Sequence, residues 1–379
     1  MNVSSTQRNA GFLTFFISGI CAISSGIIVS LLQDCYGFAY SMTGSLLSLM
    51  NVGNLIAGFA AGVLPGLIGM KPAILLLTSG YCLGYLLMGI SGWPLLLMTA
   101  FFLTGLAKGS TINICTILVS DHSKNRTRGM NIMHSCYATG ALLCPFLLGA
   151  ASGIKPLLPL FALSVCGLIL WIVFALSSLE TAQTGKKGSA GWDFLKNKKF
   201  WLLTGLLFFQ NAAEFGVNGW MVTYFKGSGI ISQALSPYTV TVMWTATLIG
   251  RLLIAFVFPL KNPRSAMIRM GIGCTVFYAL LMTAKSQTAA IILLAAFAFS
   301  MAGMNPTAVA SAGKMTTVTS MGVMLPAASS GAILMPWLIG LVAQDAGLKT
   351  GMAVNIISCI GMLLFSILIN RLEDGETAA

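Results

Sequence analysis

The sequence predicts an all-α membrane protein, with twelve transmembrane helices in two six-helix bundles related by pseudo-symmetry. Three observations carry that expectation. Hydrophobic residues make up 56 % of the 379 positions and charged residues 8 %, where a soluble domain carries roughly 25 % charged residues. Positive charges fall in short loops between long apolar runs, dense in one loop and sparse in the next. A decamer occurs twice, half a chain apart: Gly140 to Gly149 reads G-A-L-L-C-P-F-L-L-G, and Gly331 to Gly340 reads G-A-I-L-M-P-W-L-I-G.

The apolar runs are long enough to cross a bilayer as helices, which need about 20 residues. They lack the short alternating segments of a membrane barrel. Breaks at polar, Gly and Pro residues divide the chain into spans at Phe12 to Leu32, Met42 to Leu64, Pro72 to Ile90, Trp93 to Leu118, Gly129 to Ala150, Leu157 to Leu179, Phe200 to Phe225, Pro237 to Phe258, Ser265 to Ala284, Thr288 to Ala310, Thr319 to Ala343 and Gly351 to Asn370. The first run is too long for a signal-peptide core and reads as an uncleaved helix.

Assigned alternately, the loops on one side hold Arg8, Lys71, Lys124, Arg126, Arg128, Lys186, Lys187, Lys196, Lys198, Lys199, Lys261, Arg264, Lys314 and Arg371. The other side holds Lys155, Lys226, Lys285 and Lys349. The positive-inside rule then places both termini in the cytoplasm, as an even number of spans requires. The longest polar segment reads as a cytoplasmic linker, so the expected organisation is an N-terminal bundle over 1–180, a linker over 181–199 and a C-terminal bundle over 200–379. Short loops and a short linker point to a bacterial inner membrane.

Net charge is +12. Its basic residues are spread over loops rather than gathered in a patch, so lipid headgroups are the expected partner and nucleic acid is not. Nine cysteines, mostly inside apolar runs, show neither C-x-x-C spacing nor histidine companions. They read as packing residues; no metal site and no cofactor are expected. With only His122 and His134 and no nucleotide-binding loop, the chain lacks the parts of an enzyme or of a nucleotide-driven pump.

In the decamers, Gly140 and Gly331 would let helices approach closely, and Pro145 and Pro336 would bend them, which makes these four residues scaffold and gate candidates. Asn113 in the fourth span and Asn305 in the tenth keep nearly the same offset. Two six-helix halves in parallel repeat resemble the major facilitator superfamily. The segment Gly62 to Pro72, G-V-L-P-G-L-I-G-M-K-P, is similar to that superfamily's signature G-x-L-a-D-r-x-G-r-k, with Gly66 at the Asp position and Met70 at an Arg. Gly250-Arg251 and the Met304-Asn305-Pro306-Thr307 segment look most like the fucose and hexose permease branch. That branch carries acids in its first and fourth helices. Here Gly109 stands at the latter position, and the first span has no acid before Asp34, so coupling through those positions does not carry over.

Glu214 is the acid deepest inside a span. An ionisable group at mid-membrane is costly, about 2.5 to 3.5 kcal/mol on insertion scales, so it faces a cavity or a partner. Gln210, Glu214 and Asn218 recur every four residues and stack on one helical face, with Asn211 on the flank. This stripe is expected to line a central cavity. Glu214 is then a proton carrier, a solute ligand, or a fixed partner of a basic residue. Lys108 is the basic counterpart, pairing with Glu214, holding an anionic solute, or snorkelling toward the cytoplasm. Arg251 reads as a gate residue donating to helix ends. Asn113 and Asn305 reach the cavity or bond across helices. His134, whose position resembles one in the permease branch, is a proton relay or a satisfied structural imidazole. Trp220 is a candidate for stacking on a sugar ring.

The implied function is secondary transport by alternating access: a monomer moving a small polar solute, a sugar or related compound, by proton-coupled symport with H+ as coupling ion. Gly140-x-x-x-Cys144-Pro145 also resembles an antiporter signature, which leaves export of organic anions or amphipathic drugs as the alternative. A receptor or channel on the same scaffold is the alternative of another class, although no filter-like carbonyl loop is present.

Overall fold

The computed structural model describes residues 3–123, 126–177, 192–257, 260, 262–312 and 318–378. The expected loop charges Lys124, Lys186, Lys187, Lys261 and Lys314, and the linker over 181–191, lie outside the described residues. The fold is helical throughout and divides into two compact units, Met1–Thr184 and Gly185–Ala379.

The first unit holds α1 (Val3–Ile23), α2 (Ser25–Tyr36), α3 (Tyr40–Ile68), α4 (Met70–Ile90), α5 (Pro94–Asp121), α6 (Arg126–Ser152) and α7 (Leu158–Leu176). The second holds α8 (Lys198–Ser228), α9 (Thr239–Leu252), α10 (Pro263–Thr283), α11 (Gln287–Met301), α12 (Met304–Ser311), α13 (Val318–Ala346), α14 (Leu348–Val354) and α15 (Ile356–Ala378). Single turns at Trp192–Lys196 and Ser236–Tyr238 precede α8 and α9. Helix starts follow local chemistry. Asn197 accepts from Lys199 N at 2.8 Å to cap α8, Asn262 accepts from Ser265 N at 3.2 Å to cap α10, and Ser286 accepts from Ala289 N at 3.3 Å to cap α11. Gly69 closes the tight turn between α3 and α4 at φ 89°, a conformation costly for any residue with a Cβ.

Nine helical segments among the described residues are long and apolar enough to cross a membrane, and α1 with α2 makes a tenth if that bent pair is one span. The remaining two expected spans are α8 and α9. The polar stripe lowers the hydropathy of α8, and α9 runs for 14 residues before a π-helical turn at Leu253–Val257 takes over.

Four spans expected as continuous helices are broken or distorted, three of them where a side chain donates to a backbone carbonyl. The first bends by 40° at Ser24. There the Cys21 carbonyl accepts from Ser24 Oγ at 2.8 Å and from Tyr85 Oη of α4 at 2.5 Å. The eighth becomes π-helical just after Arg251. The tenth breaks at Ala302 and Gly303, and the twelfth at Asn355, beside the Met352 carbonyl held by Tyr278 Oη of α10 at 2.6 Å. Side chains that satisfy freed carbonyls are what make such breaks tolerable inside a bilayer.

The repeated decamers occupy equivalent places in the two units. Gly140 on α6 lies so close to α1 that a Cβ would collide with the Phe16 carbonyl, with Ile20 N at 3.1 Å. Gly331 on α13 stands in the same relation to α8, against the Phe208 carbonyl, with Ala212 N at 3.2 Å. Pro145 and Pro336 lie inside α6 and α13 and are buried. The duplicated sequence therefore builds a duplicated helix crossing, backbone against backbone.

Candidate functional site

The central helix of the second unit is α8. Its small and apolar face, including Ala212, Ala213, Gly216 and Trp220, is buried against α13, α14 and α15. The opposite face carries the polar stripe. Gln210 is 1 % exposed. Its Nε2 donates to Glu214 Oε2 at 2.6 Å, and its Oε1 accepts from Asn305 Nδ2 on α12 at 3.0 Å. The three residues thus form one hydrogen-bonded chain spanning two helices. Leaving either end of a buried amide unpaired costs about 1–3 kcal/mol, so the two neighbours of Gln210 set its orientation. A carboxylate only accepts, which requires Gln210 to offer its nitrogen to Glu214 and its oxygen to Asn305.

Glu214, Asn305, Asn211 and Asn218 are half-buried. Asn218 lines a recess of about 10 Å³, the room of one water molecule, with Val217, Met221, Thr239, Val240, Met243 and Leu294. Trp220 does not share this surface. It is wholly buried, and its Nε1 donates to the Pro336 carbonyl at 2.9 Å. The expected sugar-stacking face is therefore corrected to a packing strut between α8 and α13. Asn355, which the sequence reading passed over, is also wholly buried and donates through Nδ2 to the Ala213 carbonyl at 3.2 Å. A polar amide inside an apolar run is the signal that marks it.

Arg251 is exposed at the end of α9 and donates through Nε to the Ala302 carbonyl at 3.2 Å. A Cβ on Gly250 would meet Ala302 Cβ at 2.7 Å, so the Gly-Arg pair brings α9 close to the α11–α12 break and then supplies a donor for it.

In the first unit, Lys108 on α5 is 5 % exposed. Two wholly buried hydroxyls follow it along the helix. Ser110 Oγ and Thr111 Oγ1 have no hydrogen-bond partner among the described residues. The run Lys108 to Asn113, K-G-S-T-I-N, is the most polar part of that span, a signal the sequence reading used only for its first and last members. Asn113 is half-buried on α5. Its repeat mate Asn305 bonds across helices, so the two have diverged in detail. His134 is exposed on its unit and meets Phe15 of α1 edge to face, with ring centroids 5.6 Å apart. Deeper in the unit, Ser18 Oγ and Tyr81 Oη share a hydrogen bond of 3.0 Å, and Ser24 Oγ and Tyr85 Oη lie 3.0 Å apart at the Cys21 carbonyl to which both donate. Among the described residues no group of three or more His, Cys, Asp or Glu is placed to hold a metal ion.

A family model described as Major Facilitator Superfamily matches residues 11–336. Protein TsgA of Shigella flexneri is 24 % identical over 261 residues, covering 65 % of this chain and 64 % of that protein. The match thus spans just under two thirds of that relative's length. The class H tetracycline resistance protein of Pasteurella multocida is 28 % identical over 204 residues, covering 53 % of this chain and 48 % of that protein. Among solved structures, the nucleoside transporter NupG superposes with a TM-score of 0.76 at 13 % identity, covering 98 % of this chain and 99 % of the other. At that identity the likeness bears on the fold alone.

Proposed function

The chain belongs to the major facilitator superfamily, and on that premise we propose that it is a secondary transporter, moving a small polar solute through the membrane by alternating access with proton symport. The observation that supports this reading most is the hydrogen-bonded chain Asn305–Gln210–Glu214 on α8 and α12. It puts a carboxylate on a membrane-spanning helix with an amide partner within its own unit, an arrangement suited to a group that gains and loses a proton. Asn211 and Asn218 extend the polar surface for solute hydroxyls. Lys108, with Ser110 and Thr111, is the corresponding polar set of the first unit. Arg251 serves the gate, and His134 is a second proton group. A sugar or related compound is the proposed solute, from the resemblance of the Gly250-Arg251 and Met304 to Thr307 segments to the fucose and hexose permeases. The protein acts as a monomer in the inner membrane, both termini cytoplasmic.

The test uses proteoliposomes, with labelled monosaccharides ranked first by the thermal stabilisation they confer on the purified protein. Under an imposed inward proton gradient the wild type is expected to accumulate the solute above equilibrium. Glu214→Gln should equilibrate it without accumulating it. Unchanged accumulation by that variant would remove Glu214 from coupling.

A second reading is export by antiport. The class H tetracycline resistance relative and the Gly140-x-x-x-Cys144-Pro145 motif favour it. The same vesicles decide the matter, because antiport drives solute against the direction of the proton gradient.

A further inference from the structure

Gln210 lies between a carboxylate and another amide, with no water-exposed face of its own: it is 1 % exposed, and both of its polar atoms are engaged, Nε2 by Glu214 and Oε1 by Asn305. The direction of such a chain follows from its charged end. While Glu214 is ionised it accepts, so Gln210 donates to it and Asn305 donates to Gln210.

We propose that Gln210 and Asn305 form a reversible hydrogen-bond relay that keeps Glu214 satisfied with and without its proton, which makes Asn305 a positioning residue for a carboxylate it does not touch. When a proton from water binds Glu214 Oε2, the carboxyl loses one negative charge and gains one O–H donor. That O–H then points at Gln210. Rotation of the Gln210 amide by half a turn presents Oε1 to it, and rotation of the Asn305 amide presents Oδ1 to Gln210 Nε2. No amide proton is transferred, and each polar atom of Gln210 is paired in both states. An arginine or a backbone N–H in the place of Gln210 can only donate and would favour the ionised form alone. Two amides in series can pair with either form.

Among the described residues of the second unit, the other titratable groups of α8 and those of the elements packed on it lie toward helix ends or on other faces. On α8 itself, Lys198, Lys199, Tyr224 and Lys226 are toward its ends. Of the elements packed on α8, α12 has no titratable residue. Tyr238 closes the single turn before α9. Asp193 and Lys196 belong to the turn before α8, Asp345 to the last turn of α13 and Lys349 to the start of α14. On α15, Cys359 is buried, on the helix that packs with Phe365 and Gly361 against Phe209, and helical spacing puts Glu214 on the other side of α8 from that contact. Arg371, Glu373, Asp374 and Glu376 follow toward its C-terminus. Arg251 of α9 is held at the Ala302 carbonyl, close along the chain to Asn305, and its charge does not change over the working pH range.

The significance of the relay for transport rests on the proposed coupling role of Glu214; its existence does not. The test is infrared difference spectroscopy of the purified full-length protein as a function of pH, which needs no solute. The carbonyl band of protonated Glu214 is identified by its loss in Glu214→Gln. Asn305→Asp can only accept when ionised, so it turns Gln210 Nε2 outward and leaves Oε1 for Glu214. The band should then persist to higher pH by about one unit, a tenfold change in proton concentration. A new negative charge alone would do something similar. In the Gln210→Met background the relay is cut but the charge remains, so the shift should fall to a small residue there. Asn305→Thr, whose hydroxyl both donates and accepts, should leave the band where the wild type has it. An equal Asn305→Asp shift with and without Gln210 overturns the relay, as does a shift in Asn305→Thr as large as that in Asn305→Asp. If Glu214→Gln instead keeps full proton-driven accumulation, the coupling role of Glu214 fails and the infrared result stands by itself.

Discussion

Trp220 of α8 donates through its indole nitrogen to the Pro336 carbonyl of α13, 2.9 Å away, and is wholly buried in doing so. The two residues come from the helix with the polar stripe and from the second copy of the repeated decamer. Their bond ties the stripe to the helix that Gly331 brings into close contact with it. Trp220→Phe should keep the packing and lose the bond. The expected effect is a loss of about 0.6 kcal/mol, the average for hydrogen bonds inside a membrane bundle, and at most about 1.7 kcal/mol, read as a lower melting temperature in detergent. Solute affinity should be unchanged; a large loss of affinity at undiminished stability would return Trp220 to the binding surface.

The matched crossings at Gly140 and Gly331 should respond alike to substitution. A Cβ at either position meets a carbonyl of the neighbouring helix, so Gly140→Val and Gly331→Val should each cost about 1–3 kcal/mol or more by overpacking and reduce the folded yield on size-exclusion chromatography. Gly66, in α3, has no atom within 4 Å of an added Cβ. Gly66→Ala should therefore stabilise α3, by about 0.5–1 kcal/mol. Unequal responses at the two decamers would mean that the repeat is structural in one half only.

Arg251 supplies a donor to the Ala302 carbonyl, where α11 ends and α12 begins. Arg251→Met should loosen that junction while leaving the rest of the unit intact. Hydrogen exchange at the amides of residues 303–305 should rise about fivefold, the equivalent of about 1 kcal/mol for one lost bond. No change at those amides would leave Arg251 without a part in the break.

Topology can be read from one thiol. Cys35 is the exposed member of the nine free cysteines and lies at the end of α2, beyond the first predicted span. A membrane-impermeant maleimide added to intact cells is expected to label the protein, and Cys35→Ser should abolish most of that labelling. Labelling only after the membrane is opened would reverse the assignment of cytoplasmic termini.

Much of the fold is legible in the chain because lipid imposes a simple rule: about 20 apolar residues per crossing and internal pairing of every backbone group. The stripe was legible for a related reason. Residues four apart share a helical face, so Gln210, Glu214 and Asn218 could be grouped without knowing their neighbours. The breaks were not legible. At Ser24, at Ala302 and near Asn355 the backbone is supported by Tyr85, Arg251 and Tyr278, each far away in sequence, and an apolar run looks the same whether or not such a donor reaches it.

By itself, the sequence determined the membrane class, the pattern of spans, the duplication and the polar face of α8, since all of these depend on periodicity and composition along one chain. Only the tertiary structure decided that Asn305 completes the Gln210–Glu214 pair, that Trp220 is a strut, and that the two decamers make the same backbone crossing. Each of these is a contact between helices, made by donors and acceptors whose partners are set by packing, and periodicity along one helix carries no record of them.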